Sequence, residues 1–152
     1  MARTAAPGYP GRMTMIPILK CSRVHASIDF YTRVLDFTCV GVWPEDEDPA
    51  YAVLMRGADE VHLSSHAGDG VSGQALGVVI EDAEALFAEF RGRGLDPSAT
   101  PDSPVHQGPT EQSWGTIEFY VDDPDGNTLR FMEREPVSDS ELPFDADELD
   151  EI

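Results

Sequence analysis

Basic side chains are scarce in this chain: 10 Lys and Arg stand against 29 Asp and Glu, for a formal net charge of −19 over 152 residues. With no basic footprint to neutralise phosphates, nucleic acid is excluded as a partner. Apolar runs are short, and none approaches the roughly 18 residues of a membrane span, so no membrane partner is expected. Cysteine is nearly absent. Cys21 and Cys39 make neither a disulfide framework nor, alone, a zinc site, and a reduced cytoplasm suits them. Neither has an adjacent histidine or lysine to activate it. A glycine-rich phosphate loop and a nucleophile elbow are both missing. The first twelve residues lack an apolar segment, so residues 1–12 are expected to be a flexible leader rather than a secretory signal.

What is present is alternation. At this length one domain with a sizeable core is expected. Ile117, Phe119 and Val121 alternate with Glu118, Tyr120 and Asp122, the period of a half-buried strand. Pro124-Asp125-Gly126 then supplies a turn, and Leu129 and Phe131 restart the alternation. A faint internal repeat runs through the chain. Strand-like Thr14–Cys21 precedes a helical pattern at His25–Leu35, in which Ile28, Tyr31, Val34 and Leu35 recur at helical spacing. Strand-like Leu76–Ile80 precedes a second helix at Asp82–Arg93, with Asp82 as N-cap and Gly94 as its stop. Strands are expected after the first helix at Thr38–Trp43, Tyr51–Arg56 and Val61–Ser65, with a hairpin turn at Gly57–Glu60. After the second they are expected at Leu95–Thr100, Gly115–Asp122 and Thr128–Arg134. The chain therefore reads as α+β, with β-α-β-β-β twice, in modules at about 14–66 and 74–134 of a domain spanning 13–135. Two loops are long: acidic Pro44–Pro49 and polar, proline-rich Asp102–Ser113. Residues 136–152 hold seven carboxylates and no base and are expected to be a disordered tail, with Leu142, Phe144 and Leu149 as the alternative docking segment.

The pattern W-G-x-x-E-F-x-V-x-D-P-D-G-N-x-L-R-F, from Trp114 to Phe131, resembles the closing hairpin of the vicinal oxygen chelate superfamily. That superfamily includes glyoxalases, extradiol dioxygenases, fosfomycin-resistance enzymes and bleomycin-resistance proteins. I-P-I-L from Ile16 and S-I-D-F-Y-T-R-V-L-D-F from Ser27 extend the resemblance over about Thr14 to Glu133. It is most like the bleomycin-resistance branch, which binds its ligand without catalytic metal. The resemblance implies curved mixed sheets around a concave groove and a homodimer, with strand exchange between chains as a variant. Pro17 matches a proline near the point where the first strand crosses to its partner; a strand proline is confined to edges, bulges or starts.

Counted from the shared motifs, the metal-ligand positions of metal-using relatives fall on Ile16, on Gly73 or Gln74, and on Arg130, where those relatives carry a glutamate. Such side chains offer no converging donors, so no metal and no cofactor are expected. His62 and His66 lie at i and i+4; on a strand that is about 13 Å, too far to share one ion. His62 is a candidate ligand contact on the concave side. Glu118 is a candidate ligand contact; it shares a strand face with Asp122, and the two are an acid/base pair, solvated carboxylates or, for Glu118, a partner of Arg130.

In bleomycin-resistance proteins aromatics at the positions of Tyr51 and Trp114 flank the ligand's flat rings, so the resemblance implies the same clamp here. Core or rim packing is the competing role, and Trp43 is a third aromatic candidate. Asp46, with Glu45, Glu47 and Asp48, forms an acidic loop suited to attract a cationic ligand. The expected function is non-enzymatic binding and sequestration of a cationic aromatic small molecule in a cytoplasmic homodimer, with no catalytic residue. The alternative is a metal-dependent lyase, isomerase or dioxygenase with an altered ligand set.

Overall fold

The computed structural model describes residues 11–134, so the leader over 1–10 and the acidic tail from Pro136, with its docking segment, lie outside the described residues. Met13 and Met15 precede the first strand and are exposed. The first half contains β1 (Ile18–Lys20), α1 (Val24–Arg33), β2 (Thr38–Trp43), β3 (Tyr51–Arg56) and β4 (Asp59–Ser64). Its sheet has the order β1-β4-β3-β2, with β1 parallel to β4 and the other neighbours antiparallel. The second half contains β5 (Ala75–Ile80), α2 (Ala83–Gly92), α3 (Pro104–Gln107), β6 (Thr110–Glu111), β7 (Thr116–Asp122) and β8 (Thr128–Arg134), with sheet order β5-β8-β7-β6. Two four-stranded mixed sheets with helices make the α+β, twice-β-α-β-β-β architecture that the alternation predicts.

The chain divides into two compact units. One comprises the residues up to Leu76 and the segment Asp122–Asn127; the other comprises Gly77–Val121 and the residues from Thr128 onward.

In the first unit the strand period sorts side chains by face. Ala52, Leu54, Val61 and Leu63 are buried beneath α1, while Tyr51, Val53, Met55 and His62 are half-buried on the opposite face. Helix α1 buries Val24, Ser27 and Tyr31, at i, i+3 and i+7, against this sheet. Its first turn has no acidic residue and Arg23 makes no side-chain cap. Distant carboxylates do that work. The Val24 N–H donates to Asp48 at 3.0 Å, and Asp125 accepts from the Ser22 N–H at 2.9 Å and from the Ser22 and Ser27 hydroxyls at 2.7 and 3.2 Å. Arg56 pairs with Asp59, so the hairpin turn is the two residues Gly57-Ala58, and Gly57 at φ +61° supplies the first central position of a type II′ turn.

The two ends of the Asp123–Asn127 turn, Asp123 and Asn127 themselves, are buried within this unit. Asp123 accepts from the Tyr31 hydroxyl at 2.9 Å, from the Asp125 and Asn127 N–H groups at 2.9 and 3.0 Å, and from Asn127 Nδ2 at 3.0 Å. Asn127 Oδ1 accepts from the Gly73 and Gln74 N–H groups, and Nδ2 donates to the Lys20 carbonyl at 2.8 Å. Burial first, and the Asp123 carboxylate second, push the Tyr31 hydroxyl far above the usual phenol range.

In the second unit α2 begins where its sequence says it should. Asp82 accepts from the Ala85 N–H at 3.0 Å, and Gly94 at φ +106° follows the helix. Phe90, Phe119 and Phe131 form the core. Phe119 and Phe131 stack at 4.9 Å, and Phe87 and Phe90 meet Phe119 edge-on at 5.2 and 6.1 Å.

Three expectations are corrected. Leu95–Thr100 is not a strand: Pro97 lacks an N–H for a ladder, and Asp96 caps the Ser98 N–H, giving a 3-10 turn at Pro97–Ala99. The second module's short strand is β6 instead, so Asp102–Ser113 contains α3 and β6 rather than being an unstructured loop. The first strand shortens to Ile18–Lys20, with Pro17 just before it, where its carbonyl still accepts from the His62 N–H at 3.0 Å.

Three stability outcomes follow from the first unit. Tyr31→Phe removes one buried hydrogen bond and should cost about 1 kcal/mol, whereas Asp123→Ala strands several buried donors and should cost about 3 kcal/mol or more, as read by urea unfolding. Asp48 lies below the usual carboxylate range, chiefly through the Ser65 hydroxyl and then the Val24 N–H. A depressed folded value adds stability above the unfolded value, which is lost as pH falls through the folded one. Asp48→Asn should therefore melt lower than the parent at pH 7, by about 0.5 kcal/mol, the low end for a cap. That gap should close on acidification, as thermal melts between pH 7 and pH 3 would record.

Candidate functional site

Two clusters on the open sheet faces, one in each unit, gather the residues singled out in the sequence. In the first unit Trp43 and Tyr51 are directly opposed on β2 and β3, so their side chains share the face that α1 does not cover. Trp43 is 59% exposed. Its indole lies back over Gly41, where a Cβ would come within 2.4 Å of the ring; only glycine leaves room for it. Tyr51 is half-buried, and its phenol is raised above its ordinary range by burial first, then by the charges of Asp69 and Glu60. Its hydroxyl meets His62 Nδ1 at 2.5 Å, and His62 Nε2 meets Glu60 at 2.5 Å. His66 stands beyond the end of β4, where its carbonyl accepts from Lys20, so it does not join His62.

Asp46 is exposed in the acidic loop with Glu45 and Glu47. Asp48, the fourth carboxylate there, is engaged by the Val24 N–H and by the Ser65 hydroxyl at 2.6 Å. The sequence expectation treated all four alike. The fold separates one for a structural task.

In the second unit Glu118 is 1% exposed, on the face of β7 opposite Phe119. It accepts from the Trp114 indole N–H at 2.9 Å and from the Thr116 hydroxyl, and Arg130 lies 3.6 Å from its other oxygen. Of the protein partners that the sequence offers, Glu118 thus faces Arg130 on the adjoining strand. Arg130 donates to the Tyr120 hydroxyl and stands 4.6 Å above that ring, whose edge meets His106 at 5.8 Å. Sequence reasoning passed over Tyr120 and Glu60. The i, i+2 spacings to Glu118 and to His62 were the available signal. Trp114 remains 63% exposed although its N–H is spent, so the ring is anchored at its edge and open at its face.

The positions that the resemblance marks for metal do not make a ligand set. Ile16 is apolar, Gly73 has no side chain, Gln74 offers at best a weak amide oxygen, and Arg130 is a cation paired with Glu118. Among the described residues no three His, Cys, Asp or Glu side chains are grouped to hold a metal ion. Burial pushes the Cys21 thiol up to about 11, so it is an inert core group. Among the described residues no helix is long and apolar enough to cross a membrane.

Glu118→Ala should leave the Arg130 charge and the Trp114 N–H without their shared partner. A loss of about 3 kcal/mol is expected, together with a changed Trp114 fluorescence, by denaturant titration followed at the indole.

The sequence profile of the Glyoxalase/Bleomycin resistance protein/Dioxygenase superfamily matches residues 17–131. No curated protein matches in sequence. Among solved structures, the bleomycin resistance determinant encoded on the transposon Tn5 is similar, with 22% identity, a TM-score of 0.64, and coverage of 82% of this chain and 100% of that one. A bleomycin-binding protein complexed with bleomycin gives 23% identity, a TM-score of 0.64 and the same coverage. The bleomycin-binding protein of Streptomyces verticillus, complexed with copper(II)-bleomycin, gives 24% identity and a TM-score of 0.59 over 84% of this chain and 100% of that one. At these identities the likeness to the solved structures is one of fold. The profile match, spanning both sheets and the closing hairpin from β7 to β8, makes this chain a member of the Glyoxalase/Bleomycin resistance protein/Dioxygenase superfamily.

Proposed function

We propose that this protein binds and sequesters a cationic aromatic small molecule of the bleomycin type, without chemical change to it, as a cytoplasmic homodimer. The observation that carries the reading is Trp114, whose ring is fixed at one edge by buried Glu118 while its face stays exposed. A pre-positioned indole gives stacking area at little entropic cost, which is what a flat ligand needs. Tyr51 and Trp43, opposed on β2 and β3, offer further aromatic surface. The net charge of −19 and the exposed carboxylates Glu45, Asp46 and Glu47 favour a cationic ligand through long-range attraction.

The membership supports a binding role, since solved relatives of this fold hold bleomycin. Sequestration requires only affinity: bound drug is withdrawn from solution and no bond breaks. The side chains at Ile16, Gly73 and Arg130 do not favour the metal-dependent alternative, and no catalytic step is assigned.

Calorimetric titration with bleomycin tests the reading, with saturable binding the expected result and none at millimolar ligand the result that overturns it. Trp114→Ala and Tyr51→Ala should each weaken binding tenfold or more, from lost stacking of about 0.5–1.5 kcal/mol plus lost burial. Neutralising Glu45, Asp46 and Glu47 together should slow association and flatten its salt dependence in stopped flow while leaving dissociation nearly unchanged. Asp48 is kept in that variant because it holds the start of α1.

A further inference from the structure

The open face of the first sheet carries a hydrogen-bonded chain that stacking does not explain. Glu60 and His62 are two apart on β4, so both side chains stand on one face. Val53 is opposite His62 in the register, and Tyr51, two residues before Val53, reaches the same face from β3. The Tyr51 oxygen is 2.5 Å from His62 Nδ1, and the Glu60 carboxylate is 2.5 Å from His62 Nε2. The two rings meet edge to face at 5.2 Å. The side chains of His62 and Glu60 are only 15% and 31% exposed, so water competes weakly for these bonds.

Donor and acceptor roles follow from the chemistry of the end groups. A carboxylate only accepts, so the hydrogen of the neutral imidazole sits on Nε2 and points at Glu60. Nδ1 is then a lone pair, and the Tyr51 hydroxyl donates to it. With its hydrogen spent inward, the Tyr51 oxygen has only lone pairs to show a ligand. The charges that act on it, those of Asp69 and Glu60, are negative. Lys20, the cation of β1 on this sheet, donates to the His66 carbonyl.

We infer that Glu60 and His62 are positioning residues that hold the Tyr51 hydroxyl as an acceptor, so that this face selects an aromatic ligand bearing an N–H donor, such as a protonated amine, beside its ring. The inference rests on the ligand-binding reading of the face and deepens it by naming the ligand's edge chemistry. A ligand of the same shape and charge without N–H leaves the Tyr51 oxygen unpaired, a penalty that falls on the wrong ligand alone.

The test uses the full chain and two probes, 1-methyltryptamine and its side-chain N,N,N-trimethyl analogue, which share the charge and a ring nitrogen without hydrogen and differ only in their ammonium N–H donors. The primary amine should bind the parent about tenfold tighter, equivalent to 1.4 kcal/mol. Tyr51→Phe should bring the two affinities within about twofold, and Glu60→Leu should lower the preference while Tyr51 remains in place. Nitrogen NMR of the imidazole should find the Nε2–H tautomer of His62 in the parent and a mixture of tautomers in Glu60→Leu. An Nδ1–H tautomer in the parent, or a tenfold preference surviving in Tyr51→Phe, overturns the inference. So does binding of neither probe. Bleomycin binding without any primary-amine preference overturns this inference alone, whereas a primary-amine preference without bleomycin binding overturns the bleomycin-type reading alone.

Discussion

The buried carboxylate of Asp123 is the constraint on which the first unit depends. One side chain accepts from the Tyr31 hydroxyl, from two backbone N–H groups of its own turn and from Asn127 Nδ2. Asn127 extends the network to Gly73, Gln74 and the Lys20 carbonyl. A charge taken from water is tolerable only when its lone pairs are met this fully. The turn therefore has little freedom of placement, and α1, the end of β1 and the Gly73 segment are arranged to supply its donors. The D-P-D-G-N run is read most simply as a turn signal. Its first and last members are also the polar centre of a packed unit.

Each sheet separates a structural face from an open one by the same period-two rule. The covered faces are nearly all apolar: Ala52, Leu54, Val61 and Leu63 in the first unit, Phe119, Leu129 and Phe131 in the second. The open faces hold aromatic rings fixed by carboxylates. Glu60 acts through His62 on Tyr51, and Glu118 acts directly on the Trp114 N–H. In both cases a carboxylate, directly or through His62, engages the hydrogen-bonding group at the ring's periphery. Acidity thus has a local use that the overall charge of −19 conceals. Asp48 and Asp125 illustrate the same division, since both serve the start of a helix whose own first turn carries no acid.

Arg130 belongs to this pattern. It occupies a position where metal-using relatives are expected to place a glutamate, and here it faces Glu118 and Tyr120. A guanidinium supplies a fixed positive charge without converging lone pairs. It neutralises a buried carboxylate rather than gathering a divalent ion. Ile16 and Gly73, at the other positions that the resemblance marks, likewise offer no side-chain donor.

Much of the fold is written locally. The strands β2, β3 and β8 lie where alternation places them, α2 begins at its capping Asp82, and the two hairpin turns fall on glycines that take positive φ. Periodicity and caps work because they depend on neighbours within one turn or one pleat. What they cannot specify is partnership. Asp48 holds a helix start 24 residues away, Glu118 divides its oxygens between Trp114 and Arg130, and Tyr51 meets His62 only because β3 and β4 pair in one register. The strand wrongly expected at Leu95–Thr100 has the same origin: a short apolar-polar run reads as a strand until Pro97 and the Asp96 cap compete for its backbone. The sequence by itself determined most of the elements, the charge and the superfamily. Only tertiary structure decided which polar groups were consumed in building the fold and which faces stayed open, because a hydrogen bond depends on distances that chain folding sets.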